Sequence, residues 1–407
     1  LKRTLIVGCG FPQLSLVKTA LRLGLHVVGA DANPQAVAAK LCHEFFEVST
    51  SDVDALVSLV KRARIEAVTT SGSEVALRAT AQVAARVSLP FYADLETVRR
   101  CQDKDVMRAS YTAAGLSAPA FARCETLEDA STFANAHGFP LVVKPSRGWG
   151  QRGVARVERG SELASAFEEA RAHSASAGLP LVIVEKWLVG REYSVNGWVD
   201  AGRMHSYCVT ERITVPGKKP LGVMIAEVYP SGLSPENEAK VVDEARRGAA
   251  ALGHVRGPCY SQVALGPSGC VLFETAARLG GGFDADVTLL ASGVNLYSRV
   301  LGVALGDAAM ESQGPIGHGV NAAIAKFLVA KPGRVRAVEG LAAARASEGI
   351  EDAEAFVSPG GHVYPLTDSA KRAAYVLAHG ATRDDAMRRA DAALARIHIE
   401  THGQVRP

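Results

Sequence analysis

The sequence predicts a doubly wound α/β domain at the N-terminus, followed by a longer α+β region. Three observations predict it. Within the first ninety residues, buried-strand runs alternate with segments of helical spacing, the pattern of a parallel sheet with crossover helices. From about 120 to 315 the apolar runs are longer and are joined by turn signals, with helices between them. At 407 residues the chain is too long for one ordinary core, so several domains are expected.

Taken in order, "TLIVGCG" and "HVVGADA" read as buried strands and "DVDALVSLVKRA" as a helix. "EAVTTSG" reads as a strand, "EVALRATAQVAARV" as a helix, and "SLPFY" as the exit from the domain. A helix is expected around "ETVRRCQDKDVMRASYTAAGL", stopped by "SAPA". From about 320 short strands follow, with a closing helix "RDDAMRRADAALARI". There Met387, Ala390, Leu394 and Ile397 recur at helical spacing and only pack.

Composition excludes several classes. Apolar residues make up 48% and charged residues 21%, with a net charge of +3 spread over interspersed acids and bases. That argues against a dedicated nucleic-acid surface. The seven cysteines are scattered and none has C-x-x-C spacing, so neither a zinc site nor a redox pair is indicated and reduced thiols are expected. No apolar run has the length of a bilayer span, and "LKRTLIVGCG" reads as a first strand and not as a signal peptide. A cytoplasmic protein without membrane or nucleic-acid partners is expected.

One motif is a distraction. "VGCGFPQ" with Asp31 after the second strand is similar to a dinucleotide fingerprint, with Gly8 and Gly10 as its first two glycines. Gln13 replaces the third glycine and Pro12 interrupts the turn, so a turn that only packs, or one that touches a small substrate through Gly10, is preferred.

Phosphate chemistry enters elsewhere. In "PLVVKPSRGWGQRGVARV" a strand ends at Lys144, and a loop with Ser146, Gly148, Gly150 and Gly153 precedes another strand. This reads either as a flap folding over a ligand or as a plain surface hairpin. In "QDKDVMR", Lys104 and Arg108 share a helix face, which by itself reads as a solvated charged face. In "LVIVEKWLVGREYSV" a strand runs out at Glu185, and Lys186, Trp187 and Leu188 form an extended link toward Glu192. Trp187 and Leu188 offer apolar contact to a flat ring, and the link's main chain offers hydrogen bonds to its edge. In "YSQVALGPSGCVLFETAARLGGGFDADV" the turn signal "GPSG", centred near 268, sets Gln262 opposite Glu274. Two oxygen-bearing side chains so placed suit a hard cation such as Mg²⁺. Arg278 follows, then Gly280, Gly281 and Gly282, which permit close approach of main chain to a ligand. The bland reading of this stretch pairs Glu274 with Arg278 at a sheet edge.

In this order and spacing the motifs resemble the ATP-grasp ligases over nearly the whole chain. The resemblance implies an N-terminal pre-ATP-grasp domain at 1–95, an ATP-grasp region at 96–318 with a lid subdomain at about 118–188, and a C-terminal lobe at 319–407. It implies ATP, with Mg²⁺ or Mn²⁺. Lys104 and Lys144 look like the phosphate-binding lysines, and residues 146–153 like the lid. Glu185 with the main chain of Lys186 and Leu188 looks like the adenine contact, and Glu192 like the ribose contact. Glu274 looks like the bridging metal ligand, with Gln262 opposite it, and Arg278 like the arginine beside the transferred phosphoryl group. The family usually carries a carboxylate where Gln262 stands and an asparagine where Ala276 stands, which bears on the second metal ion.

Such enzymes phosphorylate a carboxylate and let an amine displace the phosphate. "ETAARLGGG" and the long C-terminal lobe look most similar to the bacilysin-type L-amino-acid (dipeptide) ligases. The resemblance therefore implies a carboxylate–amine ligase acting on amino acids and releasing ADP and phosphate. Small-molecule carboxylate and amine substrates are expected, and a homodimer is an open alternative to a monomer. The competing readings are a carboxylase or formyl-transfer enzyme of purine-synthesis type, and an ATP-binding regulatory protein without turnover.

Overall fold

The computed structural model describes residues 2–216, 221–267, 269–317 and 319–403. The N-terminal strands Arg3–Val7, His26–Asp31, Glu44–Glu47 and Ala67–Thr69 form a four-stranded parallel sheet, with Arg3–Val7 between His26–Asp31 and Ala67–Thr69. Their apolar residues are buried on both faces, as a sheet covered by helices requires, except at the edge strand Glu44–Glu47, where Phe45 and Phe46 are half-buried. Ser73 caps the helix Glu74–Val87 by accepting from the Ala76 amide, which sets Glu74 in its first turn, at the edge facing the rest of the molecule.

The helix expected across 96–116 is two helices, Leu95–Gln102 and Lys104–Ala113, with Asp103 extended between them. The physical cause is long-range. The Asp103 carboxylate accepts from Arg147 Nε and Nη2, 2.7 Å each, and this buried pairing outweighs helix continuity. The break turns Lys104 into the first residue of a new helix.

A small sheet follows in the order Phe121–Cys124, Val182–Lys186, Leu141–Pro145, Ala155–Val157. It has its own apolar core with the helices Leu127–His137 and Gly160–Ser176. The central sheet has eight antiparallel strands. From one edge these are Gly269–Ala276, Gly257–Gly266, Arg191–Asp200, Arg203–Thr214, Met224–Tyr229, Ala322–Leu328, Ala374–Gly380 and Ile350–Ala355. It crosses the boundary expected at 318, because Ala322–Leu328 pairs with Met224–Tyr229 on one side and Ala374–Gly380 on the other. The C-terminal segment is therefore an extension of this sheet plus a three-stranded sheet, Gly333–Glu339 with His362–Val363 and His398–His402. The closing helix Arg383–Leu394 packs on the central sheet through Ala386, Ala390 and Leu394. Among the described residues no single helix is long and apolar enough to cross a membrane.

Candidate active site

One cavity of about 810 Å³ lies where the N-terminal sheet, the small sheet and the central sheet meet. It is lined by Lys104, Lys144, Glu185, Trp187, Leu188, Glu192, Gln262, Glu274, Arg278 and Gly10, together with the loop residues Gly148 and Gly150. Motifs from four separate regions of the chain thus converge on one space.

Lys144 ends the strand Leu141–Pro145, and its Nζ donates to Glu185 Oε2 at 2.6 Å. Glu185 Oε1 accepts from Arg108 Nε, also at 2.6 Å. Arg108 is fully buried and donates to the Phe273 carbonyl at 2.6 Å as well, so it ties the start of the link 185–188 to the strand carrying Glu274. The solvated face expected for Arg108 is overturned, since its helix packs that face inward. Burial pushes the Lys144 ammonium down to about 8, against the pull of Glu185. Burial alone would raise Glu185, but Arg108 and Lys144 hold it at about 2. The Glu185 carboxylate is thus committed to two cations. In the link, the amides of Lys186 and Trp187 donate to Ala120 and Pro140 at 2.9 and 3.2 Å. Among the described residues the Leu188 amide makes no such bond. Arg156 stacks on the Trp187 ring at 4.3 Å.

The root of the glycine loop is fixed and only its tip is exposed. Ser146 is buried, its hydroxyl donates to Asp105 Oδ1 at 2.7 Å, and its carbonyl accepts from the Lys104 amide at 2.9 Å. Lys104 Nζ reaches the Gly148 carbonyl at 3.1 Å. Gly150 and Gly153 adopt φ of +69° and +67°, a region that favours glycine. The tip is docked on the C-terminal segment. Gly150 O accepts from the Ser369 amide at 3.2 Å, and Gln151 Oε1 from the Ser369 hydroxyl at 2.9 Å. Arg152 lies 3.5 Å from Asp368.

Gln262 and Glu274 are register partners on adjacent strands. The turn centre at 268 lies outside the described residues. Gln262 Nε2 donates to the Tyr260 hydroxyl at 3.0 Å, which leaves the amide oxygen as its free end. Burial would raise Glu274, but Lys104, Arg278, Lys144 and Arg108 outweigh it and hold its carboxyl below the usual range. A carboxylate kept ionised beside an amide oxygen fits a hard cation that takes its other ligands from phosphate and water.

Arg278 does not pair with Glu274. Its Nε donates to Glu74 Oε1 at 2.5 Å, across from the N-terminal domain, and its guanidinium lies 5.5 Å from the Tyr260 ring. Glu74 was not visible as a site residue in the sequence, because its partner is 204 positions away and no local spacing marks it. Gly281 and Gly282 line the cavity, and all three glycines also serve a packing need. A side chain at 280 would lie 2.2 Å from Asp284, at 281 it would lie 2.7 Å from the Gly72 carbonyl oxygen, and at 282 it would lie 2.1 Å from Met224. They allow the chain to pack on itself and on the N-terminal domain. The fingerprint loop lines the same cavity, and a side chain at Gly8 would meet Gln13. Gln13 folds over it and donates to the Ser71 carbonyl at 2.6 Å, and both Asp31 oxygens accept main-chain amides, from Cys9 and Asn33.

Two lysines at a glycine-rich flap, a hinge link, a strand pair bearing Gln262 and Glu274, and an arginine beside them define an ATP-grasp ligase. The chain belongs to the family described as carbamoyl-phosphate synthase L chain, ATP binding domain, whose model matches residues 103–311. A second model, L-amino acid ligase C-terminal domain 2, matches residues 326–402. The uncharacterised protein y4rH of Sinorhizobium fredii is 28% identical over 91% of this chain and 77% of its own length. D-alanine–D-alanine ligase of Dechloromonas aromatica is 38% identical over 93 residues, which is 23% of this chain and 29% of that enzyme. The L-amino acid ligase structure from Bacillus licheniformis superposes with a TM-score of 0.80 at 21% identity, covering 99% of both chains, a likeness of fold.

Proposed function

We propose that this protein is an ATP-dependent carboxylate–amine ligase that joins amino acids, releasing ADP and phosphate. The observation that carries this reading is the placement of Arg278, held by Glu74, in one cavity with Glu274, Lys104 and Lys144. A substrate carboxylate oxygen there attacks the γ-phosphorus of ATP. A new P–O bond forms, the bond to the β-phosphate oxygen breaks, and ADP departs. The amine then attacks the acyl carbon, phosphate leaves, and the amine loses a proton.

Phosphoryl transfer asks little covalent work of the protein and much charge placement. Lys104 and Lys144 bind the phosphates, and Arg278 faces the group in transfer. When bound, a divalent cation at Glu274 and the Gln262 amide oxygen neutralises phosphate charge. Leu188 and Trp187 take the adenine, and Glu192 takes the ribose. The loop 148–153 covers the phosphates and excludes water, which would otherwise hydrolyse the acyl phosphate.

A screen of amino-acid pairs for phosphate release, with mass spectrometry of the products, tests the reading. Release that needs a carboxylate and an amine together, with an amide product, supports it. Release that needs bicarbonate or formate instead, or nucleotide binding without release, overturns it.

A further inference from the structure

The same cavity is also lined by Phe11, Met224, Asp284, Phe356 and Arg372. Arg372 is only 3% exposed. Its guanidinium lies 3.7 Å from the Phe327 ring centre and 5.0 Å from that of Phe11. Its hydrogen bonds go to two neutral carbonyls, from Nε to Ser369 at 2.7 Å and from Nη1 to Met224 at 3.3 Å. The other two buried arginines are both ion-paired, Arg108 with Glu185 and Arg212 with Glu192 and Glu227. Among the described residues no such pair is formed by Arg372. A buried cation without a bonded counter-charge is costly, and burial pushes this one down to about 9. Asp284 is the main negative charge acting on it. That carboxylate folds back to accept the Gly282 amide through Oδ2, and its Oδ1, fully buried, has no partner.

The chain around Arg372 carries a second feature. Asp368 and Ser369, whose carbonyl holds Arg372, are the residues on which the tip of the glycine loop docks, through Gly150, Gln151 and Arg152. One short segment therefore presents a cation into the cavity on one side and fastens the flap on the other.

We propose that Arg372 anchors the free carboxylate of the amine-donating amino acid, and that segment 368–372 transmits its occupancy to the flap. The assignment rests on the ligase reading above. The carboxylate to be activated must sit beside Glu274 and Arg278, where phosphoryl transfer occurs. A second anion anchor in the same cavity thus serves the substrate whose carboxylate survives. Linking that anchor to the flap would close the site over the acyl phosphate only when its acceptor is present, and hydrolysis would be suppressed.

The test uses the full chain with a non-hydrolysable ATP analogue, Mg²⁺, and either L-alanine, L-leucine and L-phenylalanine or their amides. Tryptic cleavage after Arg152 is followed by mass spectrometry. The amino acids are expected to slow the cut well below its rate with nucleotide alone, and the amides, which lack the carboxylate, are not. Arg372→Gln is expected to lose this protection and to lower kcat/KM for the amino-acid donor on the order of 10- to 100-fold, with little change for the amide donor. Arg372→Lys, which keeps the charge, is expected to retain part of both effects. Equal protection by acids and amides, protection by neither, or unchanged protection in Arg372→Gln overturns the assignment. An amide also lacks the carboxylate that binds beside Arg278, so the assignment to Arg372 rests on the variants, and Arg372→Lys against wild type decides it if Arg372→Gln does not fold, since unchanged protection and kcat/KM in Arg372→Lys would overturn it. Phosphate release by the wild type is measured in parallel. Its absence with every donor defeats the ligase reading, whereas flap protection decides the role of Arg372 on its own.

Discussion

At the scale of single residues, the site is a balance of buried charges. Arg108 holds Glu185, Glu185 holds Lys144, and Glu74 holds Arg278. Removing one member strands another in a dry environment. Arg108→Met is expected to destabilise the fold by about 3–5 kcal/mol, because it leaves part of the Glu185 charge uncompensated. Urea unfolding checks this, and a loss under about 1 kcal/mol would show that the pair is relaxed by water. Lys144 makes a second prediction. In the free protein its ammonium is lost as pH rises through about 8, whereas a bound phosphate favours the charged form. ATP affinity should therefore be flat below about pH 8 and fall above it, approaching tenfold per pH unit. Lys144→Arg, which stays charged, should remove the dependence. Calorimetry from pH 7 to 9.5 separates the two proteins, and an identical slope in both would exclude Lys144 as the titrating group.

At the scale of elements, two parts do the work. The strand pair Gly257–Gly266 and Gly269–Ala276 sets Glu274 across from Gln262 through a register shift between Gln262 and Val263, without which Gln262 would face Phe273. Glu274→Ala is expected to abolish ligation with the fold intact, because in the proposed mechanism Glu274 brings the full negative charge to the cation. Gln262→Ala should do less harm, since it removes one neutral ligand. Arg278→Ala should cost on the order of 10²–10³ in kcat and less in ATP binding, because in the proposed mechanism its charge faces the group in transfer. Steady-state kinetics with melting curves as a folding control checks all three, and near-normal ligation by Glu274→Ala would end the metal assignment. The other part is the flap. Arg147 is doubly bonded to Asp103 and Ser146 is buried, so motion is confined to 148–153. Trypsin should cut the apo protein after Arg152 in preference to Arg147, and Mg-ATP should suppress the cut. Equal cutting with and without nucleotide would contradict a closing flap.

At the scale of the whole molecule, what was legible in the sequence is what local spacing encodes. The alternating strands and helices before residue 90 and the lysine-then-glycine hairpin are fixed by neighbours in sequence, as is the Gln262–Glu274 hairpin, apart from the register shift between Gln262 and Val263 that completes their pairing. What was not legible depends on distant partners. Asp103 breaks a helix because Arg147 pulls it, Arg108 is buried because Glu185 awaits it, and the central sheet passes residue 318 because Met224–Tyr229 accepts Ala322–Leu328. Glu74 and Arg372 reach the cavity from opposite ends of the chain, and no periodicity reports such a meeting. The assembled cavity makes one central claim, that a carboxylate is activated by the γ-phosphoryl group of ATP before an amine takes its place. The most direct measurement follows the carboxylate oxygen. The protein is turned over with ATP and amino acids labelled with oxygen-18 in the carboxyl group, and the released phosphate is analysed by mass spectrometry. The account predicts one labelled oxygen in each phosphate, with an equal amount of ADP. Label appearing in AMP, or amide product formed alongside unlabelled phosphate, would contradict it.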